Sequence, residues 1–201
     1  MTAHTLNLES VIELSDDQFY LLCRRNPDLR FERSANGDLI IMSPTGYETS
    51  RRNFSLIVKF GYWVEQNDLG YGFDSNGGFI LPNGAIRSPD LSWVRKERLD
   101  ALSMETGDQF LPICPDFVVE LMSKTDRLSV TQAKLIEYIE NGAKLGWLIN
   151  PKAQQVEIYR PNSRSGQDAQ PEKELLEMPQ TLSGEEVLPG FELDLDFIWE
   201  E

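Results

Sequence analysis

Three carboxylates lie where secondary-structure elements are predicted to begin or to be buried. Glu120 interrupts an apolar run over residues 117–122 that is typical of a strand covered on both faces. A carboxylate in such a strand is costly unless a cation, a metal ion or a proton neutralises it. Asp90 begins another predicted strand, and Glu48 lies in the first turn of a predicted helix. Acids at the ends of neighbouring elements can converge, and together they would suit a hard divalent cation such as Mg²⁺.

A lysine on the next helix completes this set. Lys134 lies on the helix predicted to follow the Glu120 strand, so its long side chain could reach back to the acids. Tyr138, four residues later, shares its helix face. Lys124, in the intervening loop, is the alternative lysine. A lysine beside a metal-bound water can orient the nucleophile or offset charge in phosphodiester hydrolysis. On this placement the charge of Lys134 should matter for catalysis and hardly for folding.

Each of these residues also has a purely structural explanation. Asp90 could cap a turn, Glu120 could form a structural ion pair, and Glu48 is favoured in a first helical turn by the helix dipole whatever its function. Lys134 and Tyr138 could be an ordinary polar and half-buried pair on an amphipathic helix. The order of Glu48, Asp90, Glu120 and Lys134 along the chain, taken together, favours a catalytic site over these explanations.

The composition is that of a soluble globular protein with one domain. The chain has 201 residues, 40% of them hydrophobic and 26% charged, which is enough for a full core. It has no apolar run of membrane-spanning length, and its N-terminus lacks the layout of a secretory signal. We expect a cytoplasmic protein without membrane contact: a single domain over residues 1–201, with a flexible tail over about 1–10 and a surface loop over about 161–173.

Cysteine, histidine and charge exclude some kinds of site. Cys23 and Cys114 are too few for a disulfide framework or a zinc site, and His4, the single histidine, argues against serine–histidine catalysis and histidine-rich metal sites. The net charge of −14 opposes non-specific attraction to nucleic acid. The stretch 172–201 is strongly acidic, however, and pairs of adjacent basic residues elsewhere create local basic spots.

The sequence pattern places these residues on a mixed α/β framework. A capping box at residues 15–18 predicts a short helix, and Asn36-Gly37 predicts a hairpin between runs 29–33 and 38–42. The pattern further predicts a long amphipathic helix from Tyr47 to about Asn67, a β-meander over 70–96, a helix over about 129–141 and a hairpin over 145–159. Four aromatic residues are expected in the core, namely Phe54, Tyr62, Trp93 and Trp147. Arg51 and Arg52 are expected on a solvated face.

Several ordered motifs resemble those of the Uma-type family. This widespread bacterial group of unknown physiological role is described as restriction endonucleases within the PD-(D/E)XK nuclease superfamily. The matching motifs are Ser-Pro-Asp-Leu-Ser at 88–92, Pro-Asp-Phe-Val-Val-Glu-Leu-Met-Ser at 115–123, Lys-Leu-Ile-Glu-Tyr at 134–138, Asn-Gly-Ala at 141–143 and Gly-Trp-Leu-Ile-Asn-Pro at 146–151. An upstream motif at 41–49 matches as well, so the resemblance covers roughly residues 10–197.

The resemblance implies a restriction-endonuclease-like α/β (α+β) fold, in which the Glu48 and Lys134 helices pack against a central mixed sheet. It implies that Asp90 and Glu120 bind Mg²⁺, for which Mn²⁺ can substitute, that Glu48 is an accessory acid, and that the Leu121 carbonyl completes the metal shell. It also implies DNA as the substrate and a homodimer as the assembly.

This sequence departs from the superfamily pattern at one position. The superfamily places its lysine two residues after the second acid, where this chain has Met122. Members of the Uma-type family are thought to use a lysine shifted onto the following helix, which here is Lys134.

The leading hypothesis is therefore a Mg²⁺-dependent DNA endonuclease, and two alternatives stay open. One is a non-catalytic or regulatory module that keeps the fold, which the net charge of −14 and Met122 favour. The other is a metal-dependent hydrolase of a small phosphoester, which would also account for the acidity.

Overall fold

The structure is a computed structural model that describes residues 3–102, 109–162 and 170–200. In chain order its elements are β1 (Ala3–Leu6), α1 (Asp16–Arg25), β2 (Arg30–Arg33), β3 (Leu39–Met42), α2 (Tyr47–Asn67), β4 (Gly70–Asp74), β5 (Phe79–Ile80), β6 (Ile86–Arg87), β7 (Leu91–Arg95), α3 (Lys96–Asp100), β8 (Phe117–Leu121), α4 (Leu128–Glu140), β9 (Leu145–Asn150), β10 (Gln155–Arg160), β11 (Glu172–Glu177), β12 (Thr181–Ser183), β13 (Glu192–Asp194) and α5 (Asp196–Trp199).

A six-stranded sheet with the order β11-β10-β9-β8-β7-β4 forms the centre of the molecule. β8 and β9 are parallel and are joined through α4, whereas the other neighbours are antiparallel. A second sheet has the order β1-β3-β2-β6-β5, and β12 and β13 form a small hairpin. The predicted mixed α/β fold is confirmed.

The central sheet separates two apolar clusters because alternate residues of a strand point to opposite faces. Phe117, Val119 and Leu121 pack with α2, α5 and the β12–β13 hairpin. Val118 and Met122 pack on the other face with residues of α4. Glu120 shares the α4 face with them by the same alternation, so the sheet sends one acid into an otherwise apolar layer.

Several local predictions are confirmed. α1 begins with the Ser15/Gln18 capping box, β2 and β3 form the predicted hairpin, and α2 has the predicted bounds with Glu48 in its first turn. β9 pairs with β10 as expected. Gly142, with φ of 115°, follows the end of α4, where a left-handed residue is favoured.

The buried face of α2 differs from the prediction. Phe54 and Tyr62 are each 69% exposed, so their expected place in the core is wrong. The helix instead buries Leu56, Phe60 and Trp63, together with Arg52, which was expected on a solvated face. α2 carries apolar residues around much of its circumference, and long-range packing decides which stripe is covered. Trp93 and Trp147 are fully buried, as predicted.

The predicted β-meander over residues 70–96 is divided between two sheets. All four strands are present, but β4 pairs directly with β7 in the central sheet. β5 and β6 pair with each other, and β6 joins β2 in the second sheet. Sequential strands are usually neighbours, and the meander rested on that tendency. Here only β5 and β6 follow that tendency, whereas β4 and β6 also pair with strands that are distant in sequence.

The tail and the surface loop that were predicted to lack regular structure both include strand residues. Within the tail expected over about 1–10, Ala3–Leu6 forms β1, which pairs antiparallel with β3 although its side chains are exposed. Backbone pairing rather than burial therefore defines this strand. Of the surface loop expected over about 161–173, residues 163–169 lie outside the described residues, and Glu172 already begins β11. None of the helices in the described ranges has the length and apolar character that a membrane crossing requires.

Candidate active site

A cavity of about 1090 Å³ lies between the second sheet, α2 and α4. β2 and β3 contribute one wall, the α2 face that includes Asn53 and Phe54 contributes another, and residues 120–137 contribute much of the rest. Asp90, Glu120 and Lys134 all line it. The structure thus brings together three of the four residues predicted as catalytic, although 44 positions separate the first from the last (90 to 134).

The two acids meet because their strands are antiparallel neighbours. Leu91 of β7 pairs with Val119 of β8, which places Asp90 beside the end of the Glu120 strand. The Leu121 amide donates to Asp90 Oδ2 at 2.9 Å. Both acids are buried, with exposures of 9% for Asp90 and 8% for Glu120. Their placement follows from the sheet register and does not depend on a flexible loop.

Lys134 reaches the acids from α4. Its Nζ lies 2.7 Å from Glu120 Oε1 and 3.1 Å from Glu32 Oε1. One turn later, the Tyr138 hydroxyl donates to the same Glu120 Oε1 at 3.1 Å. Gly146 of β9 permits this close approach, since a Cβ there would lie 2.7 Å from Leu135 Cδ1 of α4. The predicted sharing of one helix face by Lys134 and Tyr138 is confirmed.

Glu32 of β2 belongs to the cluster and was not identified from the sequence. It is 2% exposed and accepts hydrogen bonds from Lys134 Nζ, from the Ser88 amide at 3.1 Å and from Arg87 Nη1 at 3.2 Å. Arg87 in turn donates to Glu137 Oε2 of α4 at 2.6 Å. The available signal was an acid inside a predicted strand, the same feature that singled out Glu120.

Glu48 and Lys124 pair with each other outside this cluster. Lys124 Nζ lies 2.8 Å from Glu48 Oε2, and Arg52 Nη1 lies 4.0 Å from the same oxygen. Glu48 is not among the residues that line the cavity. The Lys124 side chain is 76% exposed, so the alternative lysine does not contact the buried acids. The accessory role of Glu48 stays a prediction.

Burial and mutual repulsion dominate the titration of the acids. Burial raises the pKa of Glu120 to about 7; Lys134 opposes the rise, while Asp90 and Glu32 add to it. Burial also raises the pKa of Asp90, against the Leu121 amide and Lys134. Two neighbouring carboxylates that resist ionisation form a site in which an added cation would be stabilising.

The cations in the cluster are held in their charged forms. Burial disfavours the Lys134 ammonium, but Glu120 and Glu32 outweigh that cost and raise its pKa. Burial of Glu32 would raise its pKa, yet Lys134, Arg87 and the Ser88 amide together lower it. Glu120 and Glu32 thus both hold Lys134 in its charged form, and Glu32 itself is held ionised. Glu120, by contrast, keeps a raised pKa despite Lys134, so a further cation would stabilise its ionised form.

Asp90 and Glu120 each have an oxygen that could bind Mg²⁺. Tyr138 and Lys134 occupy Oε1 of Glu120, and the Leu121 amide occupies Oδ2 of Asp90. Within the described residues, Glu120 Oε2 and Asp90 Oδ1 make no hydrogen bond, so one oxygen of each acid is available. Mg²⁺ typically takes one or two carboxylates and completes its shell with water and substrate phosphate.

Other ligands for such an ion are few. Leu121, whose carbonyl was predicted as a ligand, also lines the cavity. Across residues 3–102, 109–162 and 170–200, no group of three or more His, Cys, Asp or Glu side chains is arranged to hold a metal. The residues present thus fit a two-carboxylate site and not a cage made only of protein ligands.

Comparisons with known proteins identify the family and the fold. Residues 16–196 match the Uma2 family, whose description is "Putative restriction endonuclease". Among solved structures, the chain is similar to one described as a "putative nuclease belonging to DUF820" from Anabaena variabilis. The TM-score is 0.74, with 20% sequence identity, over 92% of this chain and 97% of that one. At that identity the similarity shows the fold alone. No curated protein matches the chain.

Proposed function

We propose that this chain, which belongs to the Uma2 family of putative restriction endonucleases, is a Mg²⁺-dependent endonuclease that hydrolyses phosphodiester bonds in DNA, with Mn²⁺ able to substitute. The observation that carries the proposal is the position of Lys134 between Glu120 and Glu32, in a cavity that also contains Asp90. This arrangement places a fixed positive charge beside two acids that suit a divalent cation. Met122 leaves the usual lysine position empty of charge, and Lys134 supplies that charge from α4.

Each residue of the cluster has a distinct part in this proposal. Asp90 and Glu120 would hold the cation through Oδ1 and Oε2, and the bound ion would supply a more acidic water and neutralise charge on the phosphate. Lys134 Nζ, kept protonated by Glu120 and Glu32, offsets charge on the phosphate oxygens as the leaving oxygen departs. Tyr138 fixes the rotation of the Glu120 carboxylate by donating to Oε1.

The distribution of charge makes DNA a reasonable substrate despite the net charge of −14. Residues 172–201 contain ten acids and one lysine, a net of −9. Much of this segment packs in the apolar cluster on the α2 face of the central sheet, opposite α4. The cavity itself is lined by four cationic side chains, those of Arg30, Arg87, Arg127 and Lys134, and by five acids that include Asp90 and Glu120. A bound divalent cation would therefore make the net charge of this lining positive.

The test of catalysis is nicking of supercoiled plasmid at low salt, where phosphate contacts are strongest. The wild type should nick with Mg²⁺ or Mn²⁺ and stop on chelation. Asp90→Asn and Glu120→Gln, which are isosteric, should lose roughly 100-fold or more in rate, as for lost transition-state electrostatics. Lys134→Met should also slow nicking, because it removes the charge that offsets the phosphate charge. Lys124→Met, at the exposed lysine, is its matched control and should nick like the wild type. Equal nicking by wild type and Glu120→Gln would place the activity elsewhere.

The metal site has a test that does not require activity. A divalent ion that binds only the folded protein raises the melting temperature by mass action. Mn²⁺ should therefore stabilise the wild type and leave Asp90→Asn unchanged. A wild-type melting curve that ignores millimolar Mn²⁺ would contradict the site. Metal binding without any nicking would instead favour a non-catalytic module that keeps the fold.

A further inference from the structure

A second apolar face of α2 is directed at solvent. Tyr47, Phe54, Val58 and Tyr62 are 80%, 69%, 52% and 69% exposed. At 3.6 residues per turn they form one stripe along the helix, opposite the buried Leu56 and Phe60 stripe. Monomeric proteins seldom expose large contiguous apolar patches, and such patches commonly mark interaction surfaces.

We propose that two copies of this chain associate through this stripe, with their α2 helices antiparallel about a two-fold axis at Val58. A two-fold interface uses the same patch on both subunits, so the patch must be complementary to itself. In this register a residue n positions before Val58 faces the residue n positions after it in the other copy. Val58 then meets its own equivalent, and Phe54 meets Tyr62 of the partner subunit.

The charges along the stripe obey the same symmetry. Arg51 lies seven positions before Val58 and Glu65 lies seven positions after it, and both are exposed. Each Arg51 would therefore face Glu65 of the partner subunit, and the pair would occur twice. The contacts that Arg51 makes within the chain include one to the Glu200 carbonyl at 3.4 Å, which is long enough to be exchanged readily.

The ends and the centre of the stripe also fit a helix pair. Tyr47 extends the stripe to the first residue of α2, and Leu69, which is 37% exposed, lies two residues beyond its last. Gly61 faces open space, since an added Cβ there would meet nothing within 4 Å. Because glycine has no side chain, it adds no bulk between the two helices. A 21-residue helix is about 31 Å long, which gives a contact at the small end of stable interfaces.

A second copy fits this stripe better than nucleic acid does. Arg51 and Glu65 balance each other within the stripe, whereas a phosphate backbone requires an excess of cations. Phe54 also lines the cavity, so this interface would border the proposed active site. The inference does not depend on catalysis, because association of two copies is measured whether or not the chain cuts DNA. Its failure would leave the proposed nuclease function intact, and the reverse also holds.

Sedimentation velocity over a range of protein concentrations tests the association. The wild type should show a monomer–dimer equilibrium in the micromolar range. Val58→Asp should be monomeric, because two carboxylates would face each other at the axis. Leu175→Asp on β11, 49% exposed and far from the stripe in sequence, is the matched control and should still dimerise. Urea midpoints measured at concentrations low enough for the wild type to be monomeric should stay close to the wild-type value for both variants, since both positions are exposed.

A charge exchange tests the register. Arg51→Glu and Glu65→Arg should each dimerise at least tenfold more weakly than wild type, because each places like charges opposite one another twice. An equimolar mixture should recover dimers, since every facing pair is then opposite in charge. A wild type that stays monomeric, a dimer that survives Val58→Asp, or a mixture no better than either variant alone would overturn the proposal. So would a monomeric wild type whose plasmid binding is lost in Val58→Asp, which would identify a DNA surface.

Discussion

The two faces of the central sheet use the same strand in opposite ways. On the α2 face, β8 contributes Phe117, Val119 and Leu121 to an entirely apolar cluster. On the α4 face the same strand contributes Glu120, which meets Lys134 and Tyr138. Apolar burial is favourable in itself, whereas burying charges gains little unless they are paired. Both faces therefore stabilise the fold through apolar burial, but only the α4 face also carries charged groups whose arrangement is useful for chemistry.

The contacts on the two faces differ in the same sense. On the α2 side, Phe117 packs edge-on against Trp147 with ring centroids 4.8 Å apart, and Trp147 stacks on Phe191 at 6.1 Å. The α4 side has ion pairs instead. Lys134 Nζ lies 2.7 Å from Glu120 Oε1, and Arg87 Nη1 lies 3.2 Å from Glu32 Oε2. Substitutions on the first face should act on stability alone. Substitutions in the charged cluster on the second face should act on stability, pH dependence and activity together.

The largest effect on stability should come from the apolar face. Trp147→Ala removes a fully buried indole and should lower the free energy of unfolding by about 3–5 kcal/mol, through lost transfer energy and the cavity left behind. Urea denaturation measures this loss. Where the variant is folded, Mn²⁺ should still raise its melting temperature. A loss below about 1 kcal/mol would contradict the inference that apolar burial on the α2 face contributes strongly to stability.

Lys134→Met should have the next largest effect, and here the structure changes the expectation. The sequence predicted a charge that matters hardly at all for folding, but the side chain is 17% exposed and pairs with two buried acids. Removing one member of a buried ion pair leaves an uncompensated charge, so we expect a loss of about 3 kcal/mol at neutral pH. Adding Glu120→Gln should recover part of this loss. Strict additivity of the two changes would contradict the coupling.

A smaller effect should appear in the pH dependence of the metal-free protein. The pKa of Glu120 is raised from 4.5 to about 7, so the folded state binds a proton that the unfolded state has released between these values. The resulting stabilisation is complete below pH 4.5 and is lost as the pH rises through 7. Relative to Glu120→Gln, the wild type should lose on the order of 1–3 kcal/mol between pH 5 and pH 8. A wild type that gains stability over this interval would contradict the assignment.

The smallest effect on stability should come from Glu48→Gln. Glu48 pairs with the exposed Lys124 and lies outside the cavity lining, so the urea midpoint should not change. The position in the structure also leads us to expect nicking close to the wild-type rate. A rate as low as that of Asp90→Asn would instead establish Glu48 as the accessory acid that the family resemblance implies, and would extend the active site beyond the α4 face.

The sequence was sufficient for features set by neighbours along the chain. The capping box at Ser15, the hairpin at Gly37 and the bounds of α2 depend on interactions within a few residues, and all three were predicted correctly. Ordered motifs also identified the family, which the match over residues 16–196 confirms. The expected convergence of Asp90, Glu120 and Lys134 is found, because their elements follow one another and the carboxylate in a buried strand required a partner. Glu48, which was grouped with them, lies outside the cavity lining.

Tertiary structure alone decided which faces and partners were chosen. Phe54 and Leu56 are both apolar residues of α2, and only packing against the central sheet determines that Leu56 is buried and Phe54 exposed. Strand pairing across distant residues divided the predicted meander and brought β2, with Glu32, over the Lys134 helix. The burial of Lys134 followed from that contact. Helix and strand periods specify which residues share a face, but the free energy that selects a face comes from contacts with residues far away in the chain.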